Sequence, residues 1–442
     1  MTAPEKMRLL LLGSGGREHA LAWKLSQSPC VESIVVIPGN AGTRQLAKTK
    51  NMVAAEPNDI RRIAKKENVS LAVFADESDL HSGVVDSFST GISCIGPNSR
   101  ATALEASKVL AKGFMGRHGI PTAKYWAFED PVDARFFLHY SFAEGACRLV
   151  LKKQGLTGSR DVFIVGCMED AENALEKIFA EAAACHPRRS GVMIEQYLAG
   201  PEFSVLVLMD GSDVLTFPPY VDFRQRKESN QGPFTGGMGC VLPTSRCPGH
   251  MLERIEQGII QRTIKGMRQE GLEFSGFLCL GIIVTGEGPK LVEYDVRLGD
   301  PETQALVTFL HPMQDLARVL MDYSMGRLGS KALSFPKLYA TVVVAVTEDY
   351  PDHVSVNRKI RVQGPLGNNS HIFHSHTFTE AGGDQGIPTL VHARGGRVLS
   401  VCGVGDTPEE ANHRAYRGME RIAFNGMDYR RNICEPLEPN VY

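Results

Sequence analysis

The stretch Arg8-Leu-Leu-Leu-Leu-Gly-Ser-Gly-Gly-Arg-Glu18 runs from an unbroken apolar segment through a glycine turn into a polar, helix-forming one. An apolar run with no polar alternation reads as a strand buried on both faces, which is the mark of a parallel sheet. The elements that follow agree. Arg8–Leu12, Ser33–Ile37 and Ser70–Phe74 are predicted strands, with Ile92–Ile95 a further one, and Glu18–Ser26 and Asp59–Lys66 are predicted helices. Strands alternating with helices imply βαβ units and a doubly wound α/β domain. Ligands in such sheets sit beyond the carboxyl ends of the strands, so the loops to watch are 13–17, 39–43 and 75–79. The turn Gly13-Ser-Gly-Gly-Arg-Glu18 offers backbone N–H groups to a phosphate. It is not a dinucleotide fingerprint, because Glu18 stands where a third glycine belongs and no acidic ribose ligand ends the second strand.

Beyond residue 100 the pattern changes. The spacing predicts one helix over 101–118, ended by Ile120-Pro121. Strands follow at Leu149–Lys152 and Asp161–Val165, a helix at Ala171–Ala184, and strands at Val192–Tyr197 and Phe203–Met209, the latter turning at Asp210-Gly211. Ser229–Gly239 reads as a polar glycine-rich loop, and Met251–Gly271 as a helix. A hairpin of Phe277–Thr285 and Lys290–Val296 turns at Gly286-Glu-Gly-Pro289. From about residue 335, short strands beginning at Leu338–Val346 dominate, and a helix over Pro408–Ile422 closes the chain.

Bulk properties narrow the function classes. The chain has 442 residues, 43% hydrophobic and 22% charged, with a formal net charge of −2. That length implies two to four domains. With no basic block, neither nucleic acid nor a membrane surface is an expected partner. No apolar run approaches the roughly 18 residues of a membrane span. Ten cysteines lie scattered, without Cys-x-x-Cys or zinc spacing, which fits free thiols in a reducing cytoplasm.

The sharpest chemistry lies in Glu293-Tyr-Asp-Val-Arg297. Alternate strand residues share a face, so two carboxylates and a guanidinium point one way. Carboxylate oxygens suit Mg²⁺, which takes one or two of them together with nucleotide phosphates. A solvated hairpin face is the bland alternative. Lys152, ahead of Gln154-Gly-Leu-Thr-Gly-Ser-Arg160, suits nucleotide phosphates, although the loop is not a Walker A motif. Phe234-Thr-Gly-Gly-Met-Gly239 is a second anion-loop candidate.

Taken in order, these motifs resemble the glycinamide ribonucleotide synthetases of the ATP-grasp superfamily. The resemblance runs from Leu9 to about Cys434. It rests on Gly13-Ser-Gly-Gly-Arg-Glu-His-Ala20, Gly39-Asn-Ala-Gly-Thr43, Glu105-Ala-Ser-Lys108, Ile120-Pro-Thr-Ala123, Thr235-Gly-Gly-Met-Gly239, Gly299-Asp-Pro-Glu-Thr-Gln304 and Gly395-Gly-Arg-Val-Leu399. It implies an α/β ATP-grasp ligase with a doubly wound substrate domain over 1–104. An ATP-grasp domain over 105–334, with a lid at about 122–194, and a β-rich domain over 335–442 would follow. The implied reaction ligates glycine to 5-phosphoribosylamine through an acyl phosphate, with ATP and Mg²⁺, or Mn²⁺ in its place. The implied chain is a cytoplasmic monomer or homodimer acting on small molecules.

Residue by residue, the resemblance implies that Lys108, Lys152 and Arg160 meet ATP phosphates. Glu195, Tyr197 and Leu198 form the adenine hinge, Glu202 reaches the ribose, and Glu293 and Asp295 hold the metal. Arg297, Lys152 and Asp222 form the implied catalytic set. The substrate set is Ser14, Gly15, Gly16, Arg17, Glu18, Asn40, Gly42, Thr43, Glu77, Asp222, Thr235, Gly236, Gly237 and Arg297. The chain departs from the family pattern at Ala75-Asp76, Arg160-Asp161, Phe223, Phe234 and Asp295. Two alternatives stand beside this expectation. One is a paralogous ATP-grasp carboxylate–amine ligase for another amino acid or amine. The other is a non-catalytic nucleotide-binding paralog.

Overall fold

The computed structural model describes residues 6–88, 91–155, 162–185, 191–211, 213–272, 274–310, 314–327, 335–353, 357–379 and 391–434. Its first sheet is parallel and five-stranded, in the order Thr49–Asn51, Val31–Pro38, Met7–Gly13, Leu71–Phe74, Ser93–Ile95. The leucine run lies at its centre. Leu9 and Leu11 pack into one core cluster and Leu10 and Leu12 into another, so both faces are covered. Chain order reverses beside Met7–Gly13, and the crevice at that switch point is flanked by the turn into helix Gly16–Ser26 and by Ala75–Asp79. Gly13 takes a φ of +119°, and the Glu18 carboxyl lies 2.6 Å from where a Cβ would project. A side chain there would meet both strain and a clash.

The next unit is an antiparallel sheet ordered Tyr125–Phe128, Val192–Gln196, Leu149–Lys153, Val162–Val165. Helices Pro131–Ala143 and Met168–Cys185 share its core through Ala134, Leu138, Ala171, Leu175 and Ile178. Facing it is a second antiparallel sheet ordered Val214–Thr216, Glu202–Met209, Gly276–Thr285, Gly288–Asp295.

Several elements differ from expectation. The helix predicted over 101–118 is two helices, Ala103–Ala106 and Lys108–Arg117. Ser107 leaves helical geometry between them, and its hydroxyl accepts from the Leu110 N–H, which restarts the helix. Lys108 thereby opens a new helix. The loop predicted over 229–239 contains strand Gln231–Phe234, paired with Gln225–Lys227 in a two-stranded ribbon. Its Pro233 is tolerated because a ribbon leaves N–H groups without ladder partners. The long helix after Pro248 is continuous but carries a π turn at Glu256–Ile260. The last helix stops at Met419, because Ile422–Ala423 pairs as a strand with Arg358–Val362.

Helix Glu302–Phe309 was not foreseen. Its Ala305, Leu306 and Phe309 share a cluster with Ala20 and Leu21 of helix Gly16–Ser26. That packing brings the turn 299–302 against the first sheet's switch point. Strand Gly239–Leu242 pairs with Tyr339–Thr347, which also pairs with Arg397–Gly405. The glycine loop at 235–238 is therefore held by the C-terminal sheet. Among the described residues, no helix is long and apolar enough to cross a membrane.

Candidate functional site

A cavity of about 1170 Å³ lies between the two antiparallel sheets and extends to the switch point of the parallel one. Lys108, Lys152, Glu195, Tyr197, Leu198, Glu202, Asp222, Glu293, Asp295 and Arg297 all line it. So do Ser14, Gly15, Arg17, Glu18, Glu77, Thr235 and Gly236. Arg160 and Asp161 lie outside the described residues.

One end is built of buried lysines. Lys152 on strand Leu149–Lys153 and Lys112 on helix Lys108–Arg117 each stand 3.3 Å from a different oxygen of Glu195. One buried carboxylate between two ammonium groups leaves a net positive floor, which suits a polyphosphate. Lys112 also donates to Thr122 Oγ1 at 2.7 Å. Burial pulls its ammonium down to about 8, against the Glu195 charge. Lys152 is opposed by burial, but Glu195 and Glu293 raise it above the ordinary lysine value. The Glu195 side chain thus faces the lysines. Lys108 Nζ donates to the Gly155 carbonyl at 2.9 Å. The Arg148 guanidinium lies 5.4 Å above the Tyr197 ring.

The opposite wall carries the acids. Glu293 faces Gly281 and Asp295 faces Cys279 across the ladder, a two-residue step that puts both carboxylates on one face. Their side chains are 30% and 20% exposed, so this is a cavity wall and not a solvated hairpin face. Arg224 joins the group, donating through Nη1 to Glu293 Oε1 at 2.9 Å and through Nε to Asp222 Oδ2. Burial alone would raise the Glu293 carboxyl, but Arg224 and Lys152 hold it well below the usual range. Arg297 does not continue the strand, which ends at Asp295. Its Nε and Nη2 lie 3.2 and 3.1 Å from Glu77 Oε2, and Nη2 is 3.9 Å from Asp295 Oδ1. Glu105 adds a buried carboxyl 3.6 Å from Arg297 Nε, and burial raises it to about 8.

This donor set fits Mg²⁺. Among the described residues no three His, Cys, Asp or Glu form a ready-made cage. Two hard carboxylates opposite a lysine floor match an ion that takes its remaining ligands from phosphates and water.

The far end, at the switch point, is organised differently. Arg17 is buried and donates to Glu18 Oε1 at 2.6 Å, the Leu298 carbonyl at 2.9 Å and Asp76 Oδ2 at 2.8 Å. The Gly15 N–H donates to Glu18 Oε2 at 2.8 Å, and the Arg17 N–H reaches Asp300 Oδ2 at 3.4 Å. Asp79 is pushed up to about 6 by burial, then by the charges of Asp76 and Glu18. Asn40, Gly42 and Thr43 are not among the lining residues. The Asn40 side chain accepts from the Gly42 and Thr43 N–H groups and donates to the Ser14, Gly15 and His374 carbonyls. That loop braces the first turn and leaves its own donors spent. Gly16 is also absent from the lining, because Gln304 and Ser375 close over it. Gly237 packs on Pro301, with a φ of +118°.

Residues outside the predicted site set complete the site. Tyr350 receives the Gly236 N–H at 2.9 Å, and Arg397 Nη1 donates to the Gly236 carbonyl at 2.7 Å and to the Asp300 carbonyl. The C-terminal sheet thus ties the glycine loop to the turn at Asp300. Glu302, also on the wall, is raised to about 7 by burial and then by the charge of Asp222. Asp300 and Glu302 stood in the motif Gly299-Asp-Pro-Glu-Thr-Gln304 without a role, and Lys112 and Arg224 were not among the predicted site residues. Nothing local marked Tyr350, and Arg397 stood only as part of the motif Gly395-Gly-Arg-Val-Leu399, with no role attached.

Three family models match the chain, each described as part of phosphoribosylglycinamide synthetase. The N domain matches residues 7–105, the ATP-grasp (A) domain 106–303 and the C domain 340–436. The phosphoribosylamine–glycine ligase of Neisseria meningitidis is 35% identical over 432 residues, covering 97% of this chain and 99% of that protein. The enzyme of the same name from Ralstonia nicotianae is 36% identical, covering 97% and 98%. The crystal structure of phosphoribosylamine–glycine ligase from Thermotoga maritima superposes with a TM-score of 0.82 at 29% identity. It covers 97% of this chain and 100% of that one.

Proposed function

The chain belongs to the phosphoribosylglycinamide synthetase family, and we propose that its cavity ligates glycine to 5-phosphoribosylamine at the expense of ATP. The observation that carries the reading is the meeting, in one cavity, of a lysine floor, a two-carboxylate wall and Arg297. A glycine carboxylate oxygen attacks the γ-phosphorus of ATP, releasing ADP and forming glycyl phosphate. The amine of the acceptor then attacks the acyl carbon, inorganic phosphate leaves with the bridging oxygen, and the amine loses a proton.

Lys108 and Lys152 are assigned to the phosphates, Glu202 to the ribose hydroxyls, and the backbone of 195–198 to the base. Arg160 would join the phosphates from its own segment. Glu293 and Asp295 are the metal ligands in this reading, for Mg²⁺ with Mn²⁺ as a substitute; the bound ion would neutralise phosphate charge. Arg297 is placed to hold the glycine carboxylate and the charge that develops on it. Asp222, oriented by Arg224, faces the attacking amine and its departing proton. Thr235 and Gly236 line the cavity with their backbone tied to Arg224, Tyr350 and Arg397, so their assigned part is to shape the substrate seat. Phosphoryl transfer asks mainly for positioning and charge neutralisation, and this set supplies both. Scattered single cysteines, nine of them free among the described residues, support a reducing cytoplasm for an enzyme working as monomer or homodimer.

The test is ADP release by purified protein with ATP, Mg²⁺ and freshly generated phosphoribosylamine, with and without glycine. Glycine-dependent release supports the reading. Release only with another amino acid or amine would transfer the assignment to a paralogous ligase, and none with any pair would contradict catalysis.

A further inference from the structure

The turn Gly13–Arg17 has the form of an anion site, yet the chain's own carboxylates occupy it. Glu18 takes the Gly15 N–H and Arg17 Nε, and Asp300 takes the Arg17 N–H. The Leu298 carbonyl takes Nη1 and Asp76 takes Nη2. These partners are not equally fixed. The Glu18 side chain is 1% exposed and doubly bound, and Leu298 contributes backbone. Asp76 is 36% exposed and lies on the cavity lining, in the short link between strand Leu71–Phe74 and helix Glu77–His81. Its backbone carbonyl accepts the Leu80 N–H at the start of that helix, while its carboxylate reaches into the cavity toward Arg17.

The charge around it disfavours a full set of ionised acids at this end. Glu18, Asp76, Glu77, Asp79 and Asp300 line this end of the cavity, against Arg17, Arg297 and Arg397. Carboxylates in excess of cations repel one another, and the charges of Asp76 and Glu18 add to burial in raising the Asp79 carboxyl. A dianionic phosphate entering the end could add to the repulsion or replace one of the acids. Arg17 Nη2 presents the donor geometry that a phosphate oxygen uses, and Asp76 is the exposed acid upon it.

Resting on the reading that the acceptor carries a phosphate, we propose that Asp76 is a specificity residue. Its carboxylate holds the phosphate seat on Arg17 in the empty site, and the acceptor's phosphoryl group displaces it. Asp76 therefore weakens acceptor binding by competition and keeps Arg17 closed to weaker anions. A group that fills the seat in most molecules lowers apparent affinity by the fraction left open.

Ribose 5-phosphate serves as the probe, titrated calorimetrically into the full-length protein and its Asp76→Asn and Asp76→Glu variants. Asp76→Asn removes the charge but keeps the shape, so it should tighten ribose 5-phosphate by about tenfold. Asp76→Glu keeps the competing charge and should stay within about threefold of the parent. Binding of a non-hydrolysable ATP analogue should be the same in all three, which reports an intact fold. Unchanged, weaker or undetectable ribose 5-phosphate binding in Asp76→Asn would overturn the proposal, as would equal tightening by Asp76→Glu. Failure here is separable from failure of the proposed reaction, which is read by glycine-dependent ADP release.

Discussion

The two ends of the cavity solve opposite electrostatic problems. At the nucleotide end, Lys112 and Lys152 outnumber the single carboxylate of Glu195 between them, so the floor is ready for phosphate before any arrives. At the switch-point end, the Arg17 guanidinium and two of the loop's N–H groups are already satisfied by Glu18, Asp76 and Asp300. Both ends contain glycine turns and basic side chains. An anion site is therefore defined by what its donors do in the empty protein, and not by the presence of donors.

The largest effect should come from the acid wall. Glu293→Gln removes one of two hard carboxylates, and turnover should fall by at least about a hundredfold with an unchanged circular dichroism spectrum. Near-normal turnover would erase the distinction between the ends. Next comes the lysine floor. Lys152→Met leaves Glu195 to Lys112 alone and should reduce kcat/KM for ATP by about thirty- to a hundredfold, with little change in ribose 5-phosphate binding. Equal losses for both ligands would mean that the two ends are not independent.

Arg397→Lys should have a smaller effect, because a lysine reaches one carbonyl where the guanidinium reaches two. A loss of about five- to tenfold in kcat/KM for the acceptor is expected, with ATP kinetics nearly unchanged. The smallest effect concerns stability. Asp79 binds its proton more tightly in the folded protein, at about 6 against an ordinary 3.8. Its ionisation therefore destabilises the fold progressively from about pH 4 through 6, and fully above. Asp79→Asn should raise the thermal midpoint by roughly 2 °C at pH 8 and by nothing measurable at pH 4. A gain that is the same at both pH values would remove Asp79 from the crowded end.

The architecture was legible because burial leaves a period. The leucine run of Arg8–Leu12 announced a strand covered on both faces, and the two-residue step from Glu293 to Asp295 announced a shared face. What stayed hidden depends on partners distant in sequence. Asn40 and Thr43 sit in a loop of binding-site composition, but the Asn40 amide donates to the first turn and to the His374 carbonyl, and Thr43 donates to Asn40 and Asn51. Tyr350 and Arg397 enter the site because Gly239–Leu242 pairs with the C-terminal sheet, a register that no local window contains. Helix Glu302–Phe309 opens directly after a Pro, behind four residues that read as a turn, and its apolar face becomes meaningful only against helix Gly16–Ser26.

In the proposed reaction this cavity activates glycine by phosphorylating its carboxylate. Glycine labelled with ¹⁸O in both carboxylate oxygens, incubated with ATP, Mg²⁺ and phosphoribosylamine, tests it directly. One labelled oxygen should appear in the inorganic phosphate for each amide formed, because the bridging oxygen leaves with phosphorus. Amide formation with unlabelled phosphate would contradict the acyl phosphate route and the roles assigned to both walls.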